Sequence, residues 1–207
     1  MKRLLFVRHG ESEANAARAL DCAVPGPGLT DLGREQADAL AVELGAGDIR
    51  AVWASSMTRA QETAAPLAAK LGLEVRIHPD LRESHVGDLH PRTDDSALWH
   101  WNTLYARWLA DGELSDKRPG GESGADVIAR YVPAVREIVA ALDEDGTAVI
   151  VSHGAASRLV LAGLCPEVSP LYALEHHLEN TEVVEVQITE SGGFRCVSWA
   201  GKPLGRP

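Results

Sequence analysis

Apolar residues along this chain keep two rhythms. The unbroken runs at 4–7, 51–54 and 148–151 predict strands buried on both faces, the usual state in a parallel sheet. Residues 73–77, 181–188 and 195–199 predict three further strands. Between them apolar positions recur at helical spacing. Leu32, Ala37, Leu40 and Leu44 follow Thr30, a good capping residue, and the pattern stops at Gly45 and Gly47. Ala60, Ala64, Leu67 and Leu71 mark a second helix with Ser55 or Ser56 as its cap. Val127, Ile128, Tyr131, Val135, Ile138, Val139 and Leu142 mark a long helix over 126–142, stopped by Asp143 to Gly146, and another helix follows over 155–164. Strands that alternate with helices in this way predict an α/β fold around a mostly parallel sheet.

Residues 84–121 break the alternation. GDLHPRTDD reads as a loop, after which Leu98, Trp101, Leu104, Tyr105 and Trp108 fall on one helical face. Trp99 lies off that face and is free to address a pocket. For every one of these rings, packing in the core or at an interface, as in a homodimer, is the plain alternative.

At 207 residues the chain fits one domain, 1–207, with an inserted helical segment. Thirty Asp and Glu against 20 Lys and Arg give a net charge of −10, which argues against a nucleic-acid or anionic-membrane partner. A phosphate ligand is still allowed, because local arginines outweigh carboxylates beyond a screening length of roughly 8 Å. Three cysteines without CxxC spacing suit a reducing compartment. The first apolar run is too short for a signal or membrane span, so a cytoplasmic protein is expected. The Gly/Pro-rich tail GKPLGRP is expected to be loosely held.

The chemistry gathers at strand ends. The first strand ends in Arg8-His9-Gly10 and the fourth in Ser152-His153-Gly154. Functional groups of open α/β sheets sit just beyond such carboxyl ends, so each triplet is either a chance strand end or part of an anion site. Arg59 falls in the first turn of its helix. There a purely structural cation opposes the helix dipole, whereas one that binds an anion shares its ligand with the free N–H groups. If the two strands are neighbours, His9, His153, Arg8 and Arg59 converge on a space rimmed by helix starts such as Gly154. That set suits a tetrahedral oxyanion and phosphoryl transfer. A neutral His9 can act as nucleophile if its other ring nitrogen donates to a fixed acceptor, and nearby arginines depress its pKa. Glu83, Glu11 or a water would protonate the leaving group. No HExxH, His-x-His or carboxylate cluster is present, and His176-His177 has no obvious further partners. Neither a metal nor another cofactor is therefore expected. A serine hydrolase is disfavoured by the lack of GxSxG.

FVRHGESEAN, LTDLGREQA, SSMTRAQETA, LRE, PGGES, VSHG and Asn180 occur in that order across residues 4–184. Together these blocks resemble the histidine phosphatase superfamily, which includes the cofactor-dependent phosphoglycerate mutases. The resemblance implies a three-layer α/β/α sandwich with the 84–121 insertion over the active site. It implies His9 as the phosphorylated nucleophile, Arg8, Arg59, His153 and the adjoining Gly154 around the phosphate, Asn15 as a phosphate contact and Glu83 as proton donor. One block departs from the pattern. After LRE many members carry glycine, an aromatic residue and Glu-Gly, where this chain has Gly87, Asp88, Leu89, His90 and Pro91. The departure bears on the substrate, and it makes His85 and Asp88 candidates for substrate contact.

The expected activity is hydrolysis of a small-molecule phosphate monoester through a phosphohistidine. The alternatives are a phosphoglycerate mutase-type isomerase, a phosphohistidine-protein phosphatase and a phosphate-binding module without turnover. The aromatic insertion favours a phosphorylated metabolite with a ring that stacks.

Overall fold

A seven-stranded sheet runs through the molecule in the order β3-β2-β4-β1-β5-β6-β7. The structure is a computed structural model that describes residues 1–143 and 145–204. Strands β1 (Arg3–Arg8), β2 (Ile49–Ser55), β3 (Val75–His78) and β4 (Thr147–Ser152) are parallel to one another. Strands β5 (Val183–Ile188), β6 (Phe194–Trp199) and β7 (Lys202–Pro203) extend the sheet antiparallel beyond β1. Helices in chain order are α1 (Glu13–Ala16), α2 (Asp31–Leu44), α3 (Thr58–Leu71), α4 (Asp95–Ala106), α5 (Gly124–Ala140), α6 (Gly154–Leu164) and α7 (Pro170–Glu175).

The central strands read as continuous apolar runs because both faces are covered. Leu4, Phe6, Ala51, Ala148 and Ile150 point into one core with residues of α5 and α6, among them Tyr131, Val135, Ile138 and Leu159. Val7, Val52, Ala54, Val149 and Val151 point the other way, onto Leu40 and Ala41 of α2 and Ala60, Ala64 and Leu67 of α3. Three layers follow from the two-residue period of the strands. Arg8 of β1 stands opposite Ser152 of β4 in the parallel register, so the two predicted strand ends are neighbours. No helix among the described residues is long and apolar enough to cross a membrane.

The insertion is built on α4. Leu104, Tyr105 and Trp108 are buried in the main core, and the Tyr105 hydroxyl donates to the Ala155 carbonyl at 2.8 Å, which ties the insertion to the start of α6. Close backbone approach positions the loop after β1. A Cβ on Gly33 of α2 would lie 1.9 Å from the Glu11 carbonyl oxygen, so any side chain there would push that loop off the helix.

Several boundaries differ from the expectation. Helix α3 is capped by neither Ser55 nor Ser56; Met57 is its N-cap, without a side-chain hydrogen bond, and Ser55 ends β2. The long helix begins at Gly124 through a Ser123–Asp126 capping box and ends at Ala140. Leu32, placed on the inner face by spacing, is 49% exposed, because five residues before Ala37 is about 140° around the helix from it, while Gly33 of the same turn is buried. Strand β3 begins at Val75 rather than Leu73, and β5 at Val183. Lys202 and Pro203 of the tail pair with Trp199 and Ser198, so that part is held, while residues 205–207 lie outside the described residues.

Candidate active site

His9 follows β1 directly and is 4% exposed. Its Nδ1 lies 2.7 Å from the Gly10 carbonyl oxygen, which can only accept, so Nδ1 carries the proton and Nε2 is unprotonated. That carbonyl is held in place from α3: the Gly10 amide donates to Thr63 Oγ1 at 2.9 Å, and Thr63 donates to the Arg59 carbonyl at 2.7 Å. Arg59 Nε donates to His9 Nε2 at 3.2 Å. Burial first, then the charge of Arg59, hold His9 well below the ordinary imidazole value. The Gly10 contact pulls the other way, and the charge of Arg8 adds to the lowering.

Arg59 is 3% exposed and sits in the first turn of α3, as the spacing predicted. Its remaining donors reach Asp21 Oδ1 at 3.4 Å, the Asp21 carbonyl at 3.2 Å and Met57 Sδ at 3.3 Å. Arg8 Nη1 donates to the Leu178 carbonyl at 2.5 Å. Burial lowers the pKa of both guanidiniums, against the charges of neighbouring carboxylates.

His153 is fully buried, with its ring centroid 5.2 Å from that of His9. Nε2 lies 2.7 Å from Ser55 Oγ, and Nδ1 has no hydrogen-bond partner among the described residues. A buried ring nitrogen that lies within reach of the charges of Arg59 and Arg8 suits an anion as its acceptor. When the Ser55 hydroxyl donates to Nε2, the proton resides on Nδ1 and is free for that ligand. Asn15 closes the opposite side. Its Oδ1 accepts from the Ser12 amide at 3.1 Å and from Asn180 Nδ2 at 3.4 Å, which leaves its NH2 group for the pocket. Asn180 Nδ2 also donates to the His9 carbonyl at 2.8 Å.

Glu83 arrives from the loop after β3. Its carboxylate accepts from the amides of Ala155 at 3.1 Å, Ala156 at 2.8 Å and Ser84 at 2.9 Å. The N–H groups of α6 that the sequence left free for phosphate are thus largely given to Glu83, which places it beside Gly154 and Arg8. The loop itself is clamped from α5. Arg130 donates to the carbonyls of Asp80, Arg82 and Glu83 at 2.6, 2.9 and 3.1 Å, and forks onto Glu122 at 2.8 and 2.9 Å. Glu122 comes from the PGGES block and Glu83 from LRE, so Arg130 joins the two, as does the direct pairing of Arg82 with Glu122 at 2.8 Å. Glu11 instead accepts from Thr30 Oγ1 at 2.8 Å and does not line the pocket.

Arg8, His9, Asn15, Arg59, Glu83 and Gly154 share one cleft of about 250 Å³. The structure does not bring His85, Asp88 or Trp99 to it. Asp88 is exposed and pairs bidentately with Arg118 at 3.0 and 2.9 Å, and His85 is exposed with Nδ1 accepting from the Gly87 amide. Trp99 is 62% exposed and faces a separate hollow with Thr103, Arg107 and Lys117, because the face it shares points away from α6. Trp101 and Asn102 of the same helix line the cleft in its place, together with Asp21, Arg158 and His177. Of these, Arg158 had a signal in the sequence that could have found it, its place four residues after Gly154 on one helix. Asp21 carried no local signal at all. Among the described residues no group of three or more His, Cys, Asp or Glu is placed to hold a metal ion.

The model of the histidine phosphatase superfamily (branch 1) matches residues 4–201. The chain belongs to this superfamily. Among its relatives is the PE-PGRS family protein PE_PGRS11 of Mycobacterium tuberculosis, 35% identical over 214 residues, covering 97% of this chain and 36% of that protein. Glucosyl-3-phosphoglycerate phosphatase of M. tuberculosis is 34% identical over 170 residues, covering 79% of this chain and 75% of that one. The chain spans 36% to 54% of the length of the first curated relatives it matches. The solved structure of a mycobacterial glucosyl-3-phosphoglycerate phosphatase superposes with a TM-score of 0.81 at 28% identity, covering 98% of this chain and all of that one. The superfamily's α/β architecture is therefore the one seen here.

Proposed function

We propose that the chain hydrolyses small-molecule phosphate monoesters through a phosphohistidine. The observation that carries this reading is the unprotonated Nε2 of His9, held by Arg59 Nε, in a cleft shared with Arg8, Arg59 and Glu83, with His153 buried directly behind His9. The guanidiniums, His153 and Asn15 hold the phosphoryl oxygens, and a neutral Nε2 attacks phosphorus as the ester P–O bond breaks. Protonated Glu83 gives its proton to the departing alkoxide. Water then attacks the phosphohistidine, the P–N bond breaks, Glu83 takes the water's proton and inorganic phosphate leaves. Trp101, packed edge-on against Trp108 at 5.6 Å, supplies an aromatic wall on which a ring in the substrate would stack.

The test is a panel of phosphate monoesters that includes glucosyl-3-phosphoglycerate, the molecule named for two of the relatives, scored by released phosphate for the wild type and His9→Ala. Loss of the nucleophile should cost about 10⁴-fold or more in kcat. Full activity in His9→Ala would defeat the mechanism, and isomerisation of 3-phosphoglycerate without phosphate release would defeat hydrolysis in favour of a mutase.

A further inference from the structure

Asp21 is a carboxylate inside a cleft built for an anion. Its side chain is 11% exposed and lines the wall beside Arg59. Both terminal nitrogens of Arg59 rest on this one residue: Nη1 donates to Oδ1 at 3.4 Å and Nη2 to the carbonyl at 3.2 Å, while Nε donates to His9. The loop that carries Asp21 is pinned from the insertion. The Leu20 amide donates to the Arg92 carbonyl at 2.9 Å, and His90 Nδ1 lies 3.3 Å from both the Cys22 amide and the Leu20 carbonyl. Cys22 is buried in one cluster with Val86, Leu89 and Ala97. The block with Leu89, His90 and Pro91, where the chain departs from the family pattern, thus seats the Asp21 loop.

A grip on Arg59 alone would not need the charge. A carbonyl or amide oxygen also accepts from a guanidinium, and Asp21 already offers its own carbonyl. What the carboxylate adds is opposition to the ligand. Arg8, Arg59 and Arg158 line the cleft together with Asp21 and Glu83. The imidazoles of His9, His153 and His177 are held below their ordinary value and add no charge. After Glu83 has taken the water's proton, three guanidiniums face the phosphate dianion and Asp21, and these charges cancel. Without Asp21 the product complex would carry a surplus positive charge in a partly desolvated site, where a cation holds an anion firmly.

We propose that Asp21 is a positioning residue whose charge, set against the bound phosphate through Arg59, limits how tightly the cleft holds inorganic phosphate and so speeds its release. The proposal rests on the phosphatase reading and adds to it a control on product inhibition. Substrate and product carry similar phosphoryl charge, so Asp21 raises KM together with the dissociation constant of phosphate.

The experiment measures the dissociation constant of inorganic phosphate by calorimetric titration above the second pKa of phosphate, and KM and kcat for p-nitrophenyl phosphate. It compares the wild type with Asp21→Asn, Asp21→Ala and Asp21→Glu. Asparagine keeps the shape and the acceptor but not the charge, so it is the deciding variant. Its dissociation constant for phosphate should fall by about tenfold, and KM should fall with it, by a larger factor than kcat does. Asp21→Ala, which removes charge and acceptor together, should also bind phosphate more tightly than the wild type. Asp21→Glu, which restores the charge, should stay within about threefold of the wild type. Affinity that follows the acceptor instead, with Asn equal to the wild type and Ala weaker, overturns the proposal, as does weaker or undetectable phosphate binding by Asp21→Asn. Should Asp21→Asn fail to fold, Asp21→Ala decides in the same way. A wild type that releases phosphate from no ester defeats the phosphatase reading alone, because the dissociation constants are read without turnover.

Discussion

Glu122→Gln tests how Glu83 is aimed. The glutamate accepts from Arg130 at 2.8 and 2.9 Å, from Arg82 at 2.8 Å and from the His85 amide at 2.9 Å, and its side chain is 15% exposed. Glutamine keeps the shape but offers one oxygen and turns an NH2 group toward donors. Removing one partner of a buried ion pair costs about 3–5 kcal/mol, and the partly exposed Arg82 places this site near the lower end, at about 3 kcal/mol. For a chain of this length each kcal/mol shifts Tm by about 2–4 °C, so a fall of about 6–12 °C is expected in a thermal melt. Burial raises the Glu122 carboxyl, but the hydrogen bonds and charge of Arg130 outweigh it and hold the group below its ordinary value. A carboxyl held low in the folded state contributes fully above its unfolded value and loses that contribution as pH falls through the folded one. The Tm gap should accordingly be complete at pH 7 and shrink below about pH 4. The catalytic readout separates aim from stability. In kcat/KM, which the later hydrolysis of the phosphohistidine does not enter, a displaced Glu83 slows ester cleavage where the leaving group needs its proton, so the value for an alkyl phosphate should fall by about tenfold to a hundredfold. p-Nitrophenyl phosphate, whose phenolate departs unprotonated, should stay within about threefold. Equal losses on both substrates would refute the link from Glu122 through Arg130 to Glu83.

Two further outcomes follow from the geometry. Because burial and Arg59 hold His9 well below the ordinary imidazole range, kcat/KM corrected for substrate ionisation should stay level from pH 8 down past about 6.5; an acid limb at about 6.5 would show His9 titrating as a free imidazole. Ser55→Ala removes the 2.7 Å contact that orients His153, and should raise the Ki for inorganic phosphate by about tenfold; an unchanged Ki would show that His153 is held by other means.

Much of this site was legible because its chemistry sits where chain direction changes. Arg8-His9 and His153-Gly154 stand at strand ends, Arg59 in a first helical turn, and each position is set by local pattern. What the spacing left hidden were contacts made across the sheet. Ser55 read as a helix cap because serine commonly caps, but its hydroxyl is taken by His153, just beyond β4, and Met57 stands at the N-cap without a side-chain hydrogen bond. Trp99 and Trp101 lie two residues apart on α4, and only the docking of Tyr105 against Ala155 decides which of them meets the cleft. Glu83 was suggested by its block, while the amides of Ala155 and Ala156 that hold it come from another layer. Arg158 and Asp21 belong to the same class: their importance lies in what surrounds them.

The strand order has a consequence for how the chain comes to be folded. Both neighbours of β1, β4 and β5, are made long after it. At roughly 5–20 residues per second, Thr147 leaves the ribosome roughly 7 to 28 s after Arg8. Throughout that interval Leu4, Leu5, Phe6 and Val7 present an apolar segment with both backbone edges unmated, while β2 and β3 can already pair with each other. His9 therefore waits beside an unpaired place in the middle of the sheet until β4 and β5 are made, and the segment that carries it is open to holdase chaperones during that interval.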